Sequence, residues 1–234
     1  MKALKFTLSG KTAFFKRPEV NAYYYFTFGN IHKVALLGIF GALLGYRGYN
    51  NTEGNVFPEF YQKLNNLKVS IIPRNKNGYI SKKIQYFNNS VGYASNENGN
   101  NLIVKEQWLE NPIWDILVML DCKEAEMLAN SIINHKCVYI PYLGKNDHPA
   151  DISNIEIVEL EKKIIKEKRV ASLFPKDLFE EADSDENYFK YQESLPISLN
   201  SDTGLYDYEV FVQTDMLLDG NDAYAFNNEN VVFY

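Results

Sequence analysis

Acidic side chains are scarce in the first 96 positions of this 234-residue chain, where three Asp and Glu stand against 13 Lys and Arg. Residues 97–234 reverse the balance with 27 acidic against 11 basic, so the halves carry +10 and −16 within a net charge of −6. A phosphate backbone responds to the local field rather than to the sum, so the acidic total does not exclude a polyanion partner for the first half. The plainer use of such an imbalance is to dock the two halves against each other. Cysteine is also sparse. Cys122 and Cys137 are too far apart for a CxxC redox or zinc motif, and two thiols do not make a disulfide scaffold, which suits a reducing cytoplasm. Histidine occurs at positions 32, 135 and 148 only; Asp147 and His148 lack a carboxylate cluster at ligand spacing, so no metal is expected. The longest apolar run, Val34 to Tyr46, has 13 residues against the roughly 20 of a membrane span, and the first ten residues lack a signal-peptide core. No membrane segment is predicted.

Aromatic residues are plentiful, with 17 Tyr and 15 Phe, which suits both strand packing and base stacking. Residues 3–9 alternate as a strand with Leu4, Phe6 and Leu8 on one face. A helix follows over 32–46, where Ala35, Gly38, Ala42 and Gly45 recur at steps of three and four; this stripe predicts a close approach, most simply by a sheet beneath the helix. Its glycines lie inside a helix rather than in a strand-to-helix loop, so they are no nucleotide-binding loop. Strands are predicted at 67–73 and 113–120. A second helix opens at Asp121, which with Glu124 resembles a capping box, and buries Ala125, Leu128, Ala129, Ile132 and Ile133. A strand at 137–141 would close a β-α-β-β-α-β unit, the ferredoxin-like order. Between its second and third strands, residues 79–87 and 102–108 read as the arms of a long hairpin with Gly92, Gly99, Asn100 and Asn101 at the tip. Strand and helix signals compete over 152–169, and residues 180–186 form an acidic linker. The β-rich tail has strands at 195–199, 206–214 and 224–234, with Asp219-Gly220 as a turn between the last two. Cys122, at a helix start, is expected to be an ordinary packed thiol.

Two segments carry the chemistry: Gly10-Lys-Thr-Ala-Phe-Phe-Lys-Arg-Pro18 and Tyr139-Ile-Pro-Tyr-Leu-Gly-Lys-Asn-Asp-His-Pro-Ala150. Together with the helix ALLGIFGALLGY and the strand NPIWDILVML, they resemble the Cas-five family of CRISPR-associated proteins, most closely its type I-B form. The resemblance covers roughly the first 150 residues and is weaker beyond, at Glu193-Ser-Leu-Pro-Ile197 and Tyr206 to Phe211. It implies an α+β fold: residues 1–150 as a ferredoxin-like (RRM-like) domain of the RAMP type, with a β-hairpin thumb inserted at about 75–105, and 151–234 as a smaller β-rich part. It also implies a non-catalytic, cytoplasmic subunit of a type I Cascade surveillance complex without cofactor, gripping the 5′ handle of the crRNA and capping the filament. Partners would be the backbone RAMP subunit and the large subunit, with target DNA only indirect. Lys11, Lys16, Arg17 and Lys33 would meet phosphates, together with Lys82 and Lys83 on the hairpin. Tyr86 and Phe87 would contact or displace a base, and Gly144 would let the backbone approach RNA with Lys145 adding charge. Phe15 and His32 complete the implied RNA surface.

Physical chemistry supports such a surface apart from the resemblance. Single-stranded RNA is held by basic residues and by bases stacked on aromatic rings, each worth about 1–3 kcal/mol, and Phe14, Phe15, Tyr23, Tyr24 and Tyr25 lie close to the basic segment. Strand alternation puts only some of them on the RNA side. The competing activity is a metal-independent endoribonuclease, as in relatives that cut the CRISPR repeat, for which His32, Lys33 and Tyr24 are the residues at hand.

Overall fold

The computed structural model describes residues 1–19, 24–49, 56–90, 92, 96, 102–182 and 187–234. Tyr23, the tip residues Gly99, Asn100 and Asn101, and positions 183–186 of the acidic stretch lie outside these.

Strand β1 (Lys2–Ser9) alternates as its sequence requires, with Leu4, Phe6 and Leu8 fully buried on one face. A two-residue strand, β2 (Thr12–Ala13), follows it. Next along the chain come β3 (Val69–Pro73), the hairpin arms β4 (Lys82–Asn88) and β5 (Ile103–Glu110), then β6 (Ile113–Met119) and β7 (Asp151–Glu159). Four of these form an antiparallel sheet in the order β3-β6-β1-β7. The nearly continuous apolar run of β6 fits its central place, covered on both faces. Helices α1 (Lys33–Leu44) and α3 (Lys123–Ile133) share one buried cluster with Leu4, Phe6 and Leu8, and so pack on the same side of the sheet.

The strand predicted at 137–141 does not form. Instead the Val138 and Tyr139 N–H groups donate to the carbonyls of Leu43 and Ala42 at 3.0 Å, using their hydrogen bonds on the end of α1. Their side chains stay exposed, and the fourth strand comes from residues 151–159. The small-residue stripe also behaves differently from expectation. A Cβ at Gly38 would meet nothing within 4 Å, so no sheet lies against it. The close approach is at Gly41, where Phe60 of the short helix α2 (Glu59–Leu64) packs, while Gly45 ends α1 at φ 81 beneath Val138. No capping box forms on α3: its N-cap is Cys122, and Asp121 pairs with Lys68 at 2.6 Å. Ile133, expected on its apolar face, is exposed.

The C-terminal residues are strand-dominated. β8 (Glu161–Ile164) pairs with β14 (Asp222–Phe226) and β15 (Glu229–Val231) in one small sheet. β9 (Phe174–Pro175), β11 (Lys190–Leu199) and β12 (Tyr206–Thr214) form another, and β10 (Phe179–Glu181) pairs with β13 (Leu218–Gly220). Asp219-Gly220 therefore lies in a paired strand. The strand predicted over 224–234 is itself broken by a turn at Asn227-Asn228, with φ of 43° and 66°, which joins β14 to β15. Leu195, Leu199 and Phe211 belong to the same buried cluster as β1 and α1, whereas Phe226 and Val231 cover Ala3, Leu117 and Met119 on the opposite face of the sheet. The chain is thus a mixed α/β structure, mostly strands with few helices.

Candidate nucleic-acid interface

The hairpin organises the site. β4 and β5 pair from Lys82↔Leu109 to Asn88↔Ile103, and because successive strand residues point to opposite faces, the register sorts the side chains in two. Lys82, Ile84 and Tyr86 share one face with Gln107 and Lys105; Lys83, Gln85 and Phe87 share the other with Trp108, Glu106 and Val104. The segment 24–28 is sewn alongside. Tyr25 N donates to Lys105 O at 2.8 Å and Gln107 N to Tyr25 O at 2.9 Å, while Arg17 N donates to Phe26 O at 2.8 Å.

On the first face the result is an aromatic and cationic surface. The Tyr24 and Tyr86 hydroxyls are 3.1 Å apart, and Lys105 Nζ lies 5.1 Å from one ring and 5.5 Å from the other, within cation–π range. Tyr24 is stacked on Phe26 with ring centroids at 6.2 Å. Tyr86 is 53% exposed and Phe26 42%, so both rings offer area to a ligand. The hydrogen bond to Tyr24 raises the Tyr86 pKa, keeping the phenol neutral. Beside these rings, Arg17, Glu19, Phe26, Thr27, Lys82 and Gln107 line an open cleft of about 310 Å³.

The opposite face is covered by the loop from Tyr142 to Pro149. Lys145 Nζ lies 3.2 Å from Glu106, 3.3 Å from Asp147 and 4.9 Å from the Phe87 ring centroid. Glu106, 5% exposed, also accepts from Trp108 Nε1 at 2.8 Å. His148 is fully buried, with Nδ1 2.6 Å from Thr12 Oγ1 and its ring edge-on to Trp108; burial lowers its pKa. Gly144 has φ 87 and turns the loop so tightly that a Cβ would strike the Phe14 carbonyl, while Phe14 N donates to Leu143 O at 3.0 Å. The close approach at Gly144 is to the chain's own backbone.

The predicted residues consequently fall into groups. Arg17, Lys82, Tyr24 and Tyr86 come together on one face; Lys83, Phe87 and Lys145 lie on the other, so the neighbours Tyr86 and Phe87 do not act as a pair. Lys16 sits 4.0 Å over the Tyr25 ring, and Lys11 is exposed. Phe15 is 3% exposed and packs on Trp114 and His32, which removes it from the surface. His32 is 4% exposed, accepts the Ala35 N–H on Nδ1 as the α1 N-cap, and is ringed by Phe15, Phe28 and Tyr206. Burial pushes its pKa down to about 3, so it is a neutral structural residue rather than a surface cation. Burial also lowers the Lys33 pKa. Arg17, by contrast, is held charged by its fork to Glu19, with Glu193 3.9 Å away. Lys105 and Phe26 were not among the predicted residues. Lys105 was legible as the cross-strand partner of Tyr86, but only once the register was known.

The sheet face away from the helices offers little to an anion. Asp115 accepts from Thr7 at 2.7 Å and Arg74 at 2.8 Å, Arg74 forks onto Glu229, and Lys5 pairs with Glu156 at 2.7 Å. Among the described residues, no group of three or more His, Cys, Asp or Glu is placed to hold a metal ion, and no helix is long and apolar enough to cross a membrane.

No protein-family model and no curated protein matches the chain. Its fold is similar to solved structures. One is a chain of a "CRISPR RNA-guided surveillance complex", at TM-score 0.55 and 12% identity, covering 92% of this chain and 91% of that one. Another is a CRISPR protein from Archaeoglobus fulgidus, at TM-score 0.56 and 10% identity, covering 99% and 98%. At such identities the likeness is one of fold.

Proposed function

We propose that the chain is a non-catalytic crRNA-binding subunit of a CRISPR surveillance complex of the Cas-five, type I Cascade kind, gripping the 5′ handle and capping the backbone filament. The observation that carries this reading is the hairpin face on which Tyr24 and Tyr86 flank Lys105 and Phe26 stacks on Tyr24, with Arg17 and Lys82 beside them. Exposed rings interleaved with cations are what single-stranded RNA needs, for stacking and for phosphate neutralisation. The fold likeness to a chain of an RNA-guided surveillance complex supports it, as does the order β1-α1-β3-β6-α3-β7 in a sheet β3-β6-β1-β7, which suits a ferredoxin-like RAMP domain with the β4–β5 hairpin as its thumb. The type I-B resemblance, a cytoplasmic location, and contacts with the backbone and large subunits belong to the same reading. The acidic C-terminal half would repel nucleic acid and so faces protein or solvent.

His32 counts against the endoribonuclease alternative. A ring buried at a helix N-cap and kept neutral down to about pH 3 is poorly placed to exchange protons with a bound 2′-hydroxyl, and Tyr24 is engaged with Tyr86 on the hairpin instead. The test mixes the full-length chain with end-labelled CRISPR repeat RNA in EDTA and reads both native and denaturing gels. A mobility shift with intact RNA is expected. A discrete cut would replace this reading with a metal-independent nuclease, and neither shift nor cut would remove RNA from the function.

A further inference from the structure

The six residues that line the cleft beside the exposed rings differ in what they have left to offer a ligand. The Thr27 hydroxyl accepts the Phe15 N–H at 3.0 Å and donates to the Phe28 carbonyl at 2.9 Å, so it is committed to the backbone. Arg17 is forked onto Glu19, with Nη2 donating to Oε1 at 2.8 Å, and the pair stands as one wall of the cleft. Phe26, 42% exposed and stacked on Tyr24, gives it an aromatic flank. Lys82 and Gln107, both on the hairpin, are different: among the described residues neither side chain has a hydrogen-bond or ion-pair partner.

The strand fixes where Gln107 stands. Its N–H donates to the Tyr25 carbonyl at 2.9 Å, it lies opposite Ile84, and it shares a hairpin face with Lys105 two positions earlier. A carboxamide presents one acceptor beside one donor in a single plane. Bases of single-stranded RNA are splayed out, stacked on aromatic rings and hydrogen-bonded along their edges. On the major-groove edge, adenine sets a donor beside an acceptor, guanine shows two acceptors, cytosine a donor alone, and uracil, like thymine, an acceptor alone. Adenine is therefore the base whose edge there satisfies both groups of Gln107. The cleft, at about 310 Å³, is at the lower end of the roughly 300–1,000 Å³ typical of ligand clefts, which suits one base rather than a longer segment.

We propose that this cleft takes one unstacked adenine of the bound RNA, laid against the Phe26 ring, and that Gln107 is the residue that reads it, with Lys82 supplying charge for the adjoining phosphate. This rests on the RNA-binding reading above. It adds a sequence preference to a surface whose rings and cations would otherwise accept any single strand.

The experiment measures fluorescence anisotropy in EDTA with full-length wild type, Gln107→Ala and Phe26→Ala. The probes are labelled CRISPR repeat RNA and copies of it in which each adenine in turn is replaced by guanine. For wild type, one of these replacements is expected to weaken binding by roughly five-fold or more. Gln107→Ala should bind the parent RNA and that copy equally, and should bind the copy as well as wild type does, which shows that the variant is folded. Phe26→Ala should weaken binding to both RNAs, because the stacking surface is lost whatever the base. A wild type indifferent to every replacement, a preference that survives in Gln107→Ala, or an unchanged affinity in Phe26→Ala would overturn the proposal and leave the RNA-binding reading standing. Failure of the wild type to bind any of these RNAs would end both.

Discussion

At the N-terminus of α1 a titratable ring is enclosed by Phe15, Phe28 and Tyr206, and its one described hydrogen bond is to the Ala35 amide. Because burial lowers the His32 pKa from 6.5 to about 3, the unfolded chain takes up a proton below pH 6.5 while the folded chain does not until about pH 3. Stability should therefore be flat above pH 6.5 on this account and fall by about 1.4 kcal/mol per pH unit below it, or about 2 kcal/mol by pH 5. His148, also lowered, acts in the same direction, so the comparison must isolate His32. His32→Asn keeps a capping side chain and removes the titration; urea midpoints measured from pH 7.5 to 5 should fall less steeply for this variant than for wild type, and parallel curves would show that His32 protonates in place. At this scale the sequence identified residue types better than their duties. The cluster of aromatics near the basic segment was visible, yet which of them face outward depends on the backbone of residues 15–28. Phe15 and His32 are consumed by packing, and Gly144 by its own turn, because contacts distant in sequence decide burial.

Elements were more legible, since each leaves a period in the chain. β1, β3, β6, α1, α3 and both hairpin arms lie where alternation or helical spacing put them. Failures came where a segment's partner was another element. Residues 137–141 have the apolar content of a strand, but their amides meet the end of α1 first, and an acceptor supplied by tertiary structure leaves no mark on local pattern. The glycines of α1 show the same limit: the spacing announced a close approach without saying which glycine receives it. Gly38→Ala should stabilise the protein by about 1 kcal/mol, because the added methyl meets open space and the helix loses a flexible residue. Gly41→Ala should destabilise it, because the methyl would run into Phe60 and push α2 away. Thermal denaturation of the two variants side by side checks this, and shifts of the same sign would mean that α2 slides without cost.

Over the whole molecule, the sequence suggested a division near residue 150, while the packing runs through it. β7, from Asp151, completes the sheet begun by β1, and Leu195, Leu199 and Phe211 share the core of α1. A fragment of residues 1–150 is therefore expected to lack a cooperative urea transition, whereas the full chain shows one followed by near-ultraviolet circular dichroism; a sigmoidal transition in the fragment would make the first 150 residues an independent unit. The opposite charges of the halves do not prevent this shared core, because the ion pairs that join them, such as Lys5–Glu156 and Arg74–Glu229, sit at its margin. The register of β1 also has a consequence in time. Its neighbours are Ile113–Met119 and Asp151–Glu159, so β1 leaves a ribosome long before either of the strands that flank it. At about 5–20 residues per second, some 150 residues of further synthesis leave Leu4, Phe6 and Leu8 waiting for roughly 10–30 s. For that interval the nascent chain is a sticky, unpaired edge, and its yield in a cell depends on whatever shelters those three side chains until residue 159 arrives.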